Sequence, residues 1–408
     1  MTTRRVAITG YGALSPIGNT PEGIATALEQ GHSGIRAMPE WAHWADLHTR
    51  VGGVVEGIDE RSIPREYRRS MGRVAILAAL AARDAIAHSR LTAELLASNR
   101  VGLSIGQTVG SPSAMETYFD TLRDLGPRGL KSTTFLQLMS HSAATNVALM
   151  HQIKGRVWAP VAACASSSQA IGLGFETIRA GAQDVMLCGG SEELHSTTAI
   201  TFDIVGGTSR AFNDRPKLTP RPFEKRRDGL VVAEGAGIVV LEGWEHAVAR
   251  GVPIYGEILG FATTCDAAHM SSPDQVGMAR TMALGLASAG LKPSDVGYVN
   301  AHATGTPTGD GVEAQATLQV MGDQIPISST KGHTGHTLAA CGALEVIFSL
   351  LMMERGFLAA TLNLEEIADE AKGPLHLREV IHRKVTRAMS NNFAFGGINT
   401  SLIIAAPS

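Results

Sequence analysis

The sequence predicts an α/β protein with a mainly parallel sheet, built as two similar halves that meet near residue 250. Three observations carry this expectation. Near-continuous apolar runs that read as buried strands alternate with helix-compatible segments, the pattern of a sheet covered on both faces. The strand over residues 254–262 looks much like the strand over 5–12 that begins the chain. Finally, Ala162-Ala163-Cys164 opens an apolar helix closing at Arg179-Ala180-Gly181, and Ala339-Ala340-Cys341 opens another closing at Glu354-Arg355-Gly356. The two spacings differ by two residues, and the echo points to an internal duplication with halves 1–250 and 251–408.

Size and charge narrow the classes. At 408 residues, 44% hydrophobic and 18% charged, the chain has material for two core-bearing domains. Thirty-five Lys and Arg against 38 Asp and Glu leave a formal charge of −3, so no nucleic-acid footprint is expected. Four scattered cysteines form neither a disulfide framework nor a zinc knuckle, which fits a reducing compartment. Met1-Thr2-Thr3-Arg4-Arg5 passes straight into a strand without a signal-length apolar region, and no run reaches the ~18 apolar residues of a membrane span. A cytoplasmic location is expected.

Taken in order, residues 5–12 form a buried-type strand whose Gly10-x-Gly12 lacks the third glycine of a dinucleotide fingerprint, Ser15 standing in its place. A polar stretch to about Glu60 leads to Arg65, Arg68 and Arg69, then to an Ala/Leu-rich helix over 71–88. A strand over 101–106 precedes a glycine-rich loop, a connection through Arg128 and Lys131, and helical periodicity from Leu136 to Leu149. The run Val157 to Ala163 reads as a strand that stops at Cys164 and continues as a helix. A cysteine at a helix start meets unpaired N–H groups and the positive end of the macrodipole, which favours thiolate and makes Cys164 the first candidate nucleophile. Cys188 falls inside a strand over 184–190 and reads as core.

The second half supplies the chemistry that a lone thiol lacks. A strand over 296–300 empties into Ala301-His302-Ala303-Thr304-Gly305-Thr306-Pro307-Thr308-Gly309-Asp310, a rigid loop suited to presenting one imidazole. A strand from Ile327 empties into Lys331-Gly332-His333-Thr334-Gly335-His336. Active sites of open α/β sheets form outside the carboxyl ends of strands, where Cys164, His302 and His336 all fall. These residues with His333 are also zinc-type ligands, but neither an acidic ligand nor a cysteine pair accompanies them, and no metal is expected.

Taken together, Ala163-Cys164-Ala165-Ser166, the loop His302–Asp310, Ser329-Thr330-Lys331-x-x-Thr334-Gly335-His336 and Ser390-Asn391-Asn392-Phe393-Ala394-Phe395-Gly396-Gly397-Ile398-Asn399 resemble the elongating β-ketoacyl-acyl-carrier-protein synthases of the thiolase superfamily. The resemblance spans essentially the whole chain, including Arg221 to Gly229 and Glu234 to Ile238. It implies a duplicated thiolase-like fold layered α-β-α-β-α, with two mixed, mainly parallel sheets around buried helices. It also implies a dimer without cofactor, acting on acyl and malonyl groups held by acyl carrier protein. A homodimer is expected; a heterodimer with a chain-length-factor-like partner, in a polyene or polyketide pathway, is the alternative.

The same resemblance assigns roles. Cys164 takes the acyl group in a ping-pong reaction, and the backbone N–H groups of Cys164 and Phe395 form the oxyanion hole. His302 and His336, both neutral, donate Nε2–H bonds to the enolate left by decarboxylation. Lys331 and Glu345 organise the site. Phe395 is the gate on a glycine loop with Gly396 and Gly397, facing a partner loop from Asp266 to His269, and Thr304, Thr306 and Phe393 contact substrate. Arg65, Arg68, Arg69, Arg128, Lys131 and Arg210 are expected to dock the acidic carrier. Ala303, His333 and Ala394 depart from common family residues, and Gln107, Thr108 and Met139 are expected near the acyl pocket floor without indicating chain length. A degradative thiolase would carry a second cysteine in the last loop, and a starter synthase an asparagine in place of His336.

Overall fold

Why the strands lie where they do follows from burial: each long strand is apolar on both faces, and helices cover both. The computed structural model of the chain describes residues 4–407, so Met1, Thr2 and Thr3 of the N-terminal reading lie outside the described residues. Thirteen strands occur among the described residues: β1 (Val6–Leu14), β2 (Ile35–Ala37), β3 (Val51–Gly53), β4 (Val101–Gly106), β5 (Val157–Trp158), β6 (Val185–Glu192), β7 (Gly235–Gly243), β8 (Gly256–Cys265), β9 (Tyr298–Asn300), β10 (Pro326–Ser328), β11 (Leu375–His376), β12 (Arg387–Ala394) and β13 (Ile398–Ala405). Eleven join in the order β11-β10-β9-β12-β13-β8-β1-β7-β6-β4-β5, while β2 and β3 pair separately.

Outward from the β1–β8 seam the first half runs β1, β7, β6, β4, β5 and the second runs β8, β13, β12, β9, β10. Five strands of each half correspond, which supports the duplication, and β11 is an added edge strand beyond β10 in the second half. The two half-sheets are joined edge to edge where Val6–Ile8 pairs with Gly256–Ile258. The halves fold around the Ser166–Arg179 and Cys341–Arg355 helices, and the Arg73–His88 and Gln275–Ala289 helices cover the outside. That gives the five layers. The central helix is buried from Cys341 through Met353.

Several details correct the sequence reading. Parallel pairing is confined to the outer strands, whereas β6–β7–β1–β8–β13–β12 is antiparallel throughout. The reason is that β7 and the β12–β13 hairpin, none of them anticipated, insert between the βαβ strands and the seam. The helix expected over 136–149 breaks into Ser132–Leu138 and Ser142–His151. Buried Gln107 takes over the junction: its Oε1 accepts from the Ala143 N–H at 2.8 Å and its Nε2 donates to the Val109 carbonyl at 2.6 Å. The strand before Cys164 is only Val157–Trp158, since Pro160 has no N–H to offer a neighbour.

The duplication echo was read two residues out of register. Ala163 and Leu338 both hold positive φ (44° and 43°), each opens one 3-10 turn, and the helices then begin at Ser166 and Cys341. One constant offset therefore superposes Cys164 on Ala339 and Ser166 on Cys341, and Gly181 on Gly356, both αL residues closing their helices. The shared tripeptide is coincidental, because the strained residue and the helix start fix the register. Gly342 lies where these helix starts cross; a Cβ there would stand 2.0 Å from Ser168 Oγ, so only glycine permits the approach.

Candidate active site

Three chain segments that leave strand ends or turns converge on one sulfur. Cys164, in the turn entering its helix, is 5% exposed, and His336 Nε2 lies 3.0 Å from its Sγ. The His302 ring stands edge-on to His336 with centroids 5.1 Å apart, and ligand atoms of all three residues fall within 4.8 Å of one another. They share a cavity of about 330 Å³ with Phe202, Leu230, Met278, Phe393 and Phe395, a mostly apolar lining suited to an alkyl-bearing substrate.

The His302 loop is held from beneath. Glu313, buried on the Gly309–Met321 helix, accepts the His302 N–H at 2.7 Å on one oxygen and the Ala303 N–H at 2.6 Å on the other. Asp310 accepts the Thr304 and Gly305 N–H groups and, through Oδ2, that of Phe223. Glu313 went unnoticed in the sequence, although it sits eleven residues past His302 on the helix that the loop feeds. Burial pushes its carboxyl up to about 8, against the opposing pull of the His302 N–H and the Lys331 charge.

The expectation of a favoured thiolate is overturned. Burial pushes the Cys164 thiol up to about 12, and the opposing influences, Lys331 and the Phe395 and Cys164 N–H groups, do not compensate. The helix start is insufficient because Cys164 is almost wholly buried at the base of the cavity. The sulfur thus rests as S–H, and its proton has an acceptor at hand in His336 Nε2. The Phe395 and Cys164 N–H groups both favour the charged form of this sulfur against its burial.

Burial first, and then the Lys331 charge, hold His302 and His336 well below 6.5; His336 adds to the effect on His302. Both rings are neutral at ordinary pH and can each donate one N–H. A lowered imidazole pKa means protonation only at more acid pH, so malonyl decarboxylation should show no acid limb at the usual imidazole value of about 6.5. A pH–rate profile with its acid midpoint there would refute neutral rings.

Lys331 and Glu345 form an ion pair, each almost wholly buried, and Asn392 Nδ2 donates to Glu345 Oε2 at 2.7 Å. Burial alone would lower Lys331, but Glu345 keeps it protonated. Asn392, which the sequence reading passed over, also receives a hydrogen bond from Ser168 Oγ. Neither Lys331 nor Glu345 lines the cavity, so this pair acts through its field and its neighbours.

Phe395 lies at the β12–β13 hairpin turn, 45% exposed, its ring 5.5 Å from that of Phe202. Gly396 and Gly397 hold φ of 87° and 72°, the left-handed region that lets the hairpin turn there. Asp266 clasps the turn: its N–H donates to the Gly397 carbonyl at 2.9 Å, and its Oδ1 accepts from Asn399 Nδ2. His269 does not join it; the ring faces Ser271 on the exposed outer loop. Thr304 and Thr306 line the cavity, hydroxyl to hydroxyl at 3.2 Å, and Phe393 stands edge-on to His302. His333 is buried with its ring nitrogens 3.0 Å from the His32 carbonyl and 3.2 Å from that of Ala360, turned away from the sulfur.

The basic residues divide. Arg65, Arg69, Arg128 and Lys131 are exposed, and Gln137 Nε2 ties the segments together by donating to the Arg69 and Met71 carbonyls. Arg68 is half-buried and binds the Glu60 carbonyl, and Arg210, itself exposed, is paired with buried Asp203. No helix among the described residues is long and apolar enough to cross a membrane.

Comparison with known proteins agrees with this geometry. The family model described as beta-ketoacyl synthase, N-terminal domain, matches residues 3–247, and the C-terminal domain model matches 255–365. The 3-oxoacyl-[acyl-carrier-protein] synthase 1 of Haemophilus influenzae is 38% identical over 405 residues, covering 98% of each chain. A crystal structure of a beta-ketoacyl synthase from Burkholderia phymatum superposes with a TM-score of 0.96 at 43% identity, covering 99% of this chain and all of that one. The ishigamide ketosynthase/chain length factor superposes with a TM-score of 0.93 at 28% identity, over the full length of both chains.

Proposed function

From the premise that the chain belongs to the β-ketoacyl synthase family, we propose that it is a 3-oxoacyl-[acyl-carrier-protein] synthase extending acyl chains by two carbons. The observation that carries this is His336 Nε2 at 3.0 Å from Cys164 Sγ, with His302 beside it in one apolar cavity. Cys164 gives its proton to His336 and attacks the acyl thioester; the proton passes to the carrier's departing thiolate, leaving acyl-Cys164. Malonyl carrier protein then loses carbon dioxide. The enolate oxygen accepts an N–H bond from His302 and, once its ring has exchanged to the Nε2–H tautomer, from His336, in a field made positive by Lys331. Its carbon attacks acyl-Cys164, the Cys164 and Phe395 N–H groups hold the tetrahedral oxyanion, and collapse releases the 3-oxoacyl product and the Cys164 thiolate, which takes up one proton from solvent to restore the thiol.

Retention of both histidines and the thiol argues against a non-catalytic chain-length subunit. The heterodimer alternative draws on the ishigamide ketosynthase/chain length factor, less similar at 28% than the Haemophilus synthase at 38%. The test is incubation with acyl carrier protein thioesters of several chain lengths and malonyl carrier protein, with mass spectrometry of the intact chain. An adduct at Cys164 and a product two carbons longer are expected; no adduct with any chain would refute the reading.

Exposed Arg65, Arg69, Arg128 and Lys131 support a carrier-docking face. Reversing Arg69 and Lys131 to glutamate should raise the KM for carrier-bound substrates about tenfold at low salt and flatten its salt dependence, with kcat little changed. An unaltered KM would exclude this face. The edge strand β5 leaves Val157 and Trp158 exposed beside Val161, an unpaired apolar edge that supports self-association. Sedimentation should give twice the 42.9 kDa chain mass, and Trp158→Glu should halve it; a monomeric wild type would overturn the homodimer.

A further inference from the structure

The second cysteine of the site region, Cys341, is buried at the first position of the central helix and plays no part in the chemistry above. It fills more than space. Its Sγ lies 3.2 Å from the carbonyl oxygen of Cys164 and 3.4 Å from Asn392 Nδ2, and Asn392 in turn binds Glu345, the partner of Lys331. Donor directions along this chain are fixed. Asn392 Nδ2 gives a hydrogen to the sulfur, and the sulfur gives its own to the Cys164 carbonyl. Burial, and then the Glu345 charge, hold the Cys341 thiol protonated, as such a donor must be.

The carbonyl it grips belongs to a turn that needs gripping. Cys164 follows Ala163, whose φ of 44° is sparsely populated by a residue with a Cβ, and the turn relaxes unless its surroundings over-determine it. Ser166 holds the turn on one side, accepting the Ala162 N–H and donating to the Ala163 carbonyl. Its pseudo-symmetric counterpart, Cys341, holds the other.

We infer that Cys341 is a positioning residue for the nucleophile: its S–H anchors the Cys164 carbonyl and so transmits the rigidity of the buried Lys331–Glu345–Asn392 cluster to the sulfur and the oxyanion N–H. This rests on the synthase reading above. The anchored group serves acyl transfer, whereas decarboxylation depends on His302 and His336, so the two half-reactions separate the effect.

Rapid-quench intact mass spectrometry of Cys164 acylation, and carbon dioxide release from malonyl carrier protein, would be measured for wild type, C341A and C341S. C341A should acylate about five- to tenfold more slowly with unchanged KM, and decarboxylate within about twofold of wild type. C341S, which keeps a donor, should acylate within about twofold of wild type. Equal acylation by C341A and wild type, or equal slowing of C341A and C341S, would overturn the inference. If C341A does not fold, C341V, which fills the volume without a donor, replaces it. If wild type accepts no acyl group, the synthase reading fails by itself; the rate of iodoacetamide alkylation at Cys164, mapped by peptide mass, then ranks the same proteins, with C341A expected slowest and an equal rate overturning the inference.

Discussion

His302→Ala should still accept an acyl group on Cys164, yet release carbon dioxide from malonyl carrier protein about 100-fold or more slowly. The asymmetry follows from where the two rings stand. His336 Nε2 touches the sulfur, so it alone is placed to take the thiol proton during acylation. His302 stands in the same cavity edge-on to His336, and contributes when negative charge develops on the malonyl thioester oxygen. Removing one of two preorganised donors in a dry site costs far more than in water, because no solvent replaces it. Intact-mass acylation and carbon dioxide release, measured on one preparation, check both arms. Decarboxylation at the wild-type rate would refute the role of His302, and loss of acylation as well would show that its removal disorders the whole site.

Legibility in the sequence followed the range of the forces involved. Cys164, His302 and His336 could be located because each lies just past an apolar strand or before a helix, a local pattern. Glu313 could not, since an acidic residue in mid-helix reads as a solvated face until the fold tucks it beneath the His302 loop. The antiparallel β7 and the β12–β13 hairpin escaped for a similar reason: a strand buried on both faces carries no periodicity that gives its direction. The state of Cys164 was misjudged because the local influence, a helix start, is visible in sequence, while the larger one, complete burial, belongs to the tertiary structure. Likewise the pairing of exposed Arg210 with buried Asp203, seven residues earlier, needed the fold to be seen.

Lys331→Met should destabilise the fold by about 3 to 5 kcal/mol, because it strands the Glu345 carboxylate in the interior with only Asn392 as donor. The urea midpoint reads this directly. Replacing both partners by apolar residues of similar size, Lys331→Met with Glu345→Leu, should recover most of the loss, since no buried charge then lacks its partner. Catalysis should not recover with it. The Lys331 charge is one of the influences that depress His302 and His336, so its removal lets both imidazole pKa values rise. Higher values mean that protonation begins at less acid pH, and the acid limb of decarboxylation should move upward toward neutrality in the double variant. A double variant with wild-type stability and a wild-type pH profile would show that the pair serves folding alone; an unmoved urea midpoint in the single variant would show that Glu345 finds another partner or takes up a proton at little cost.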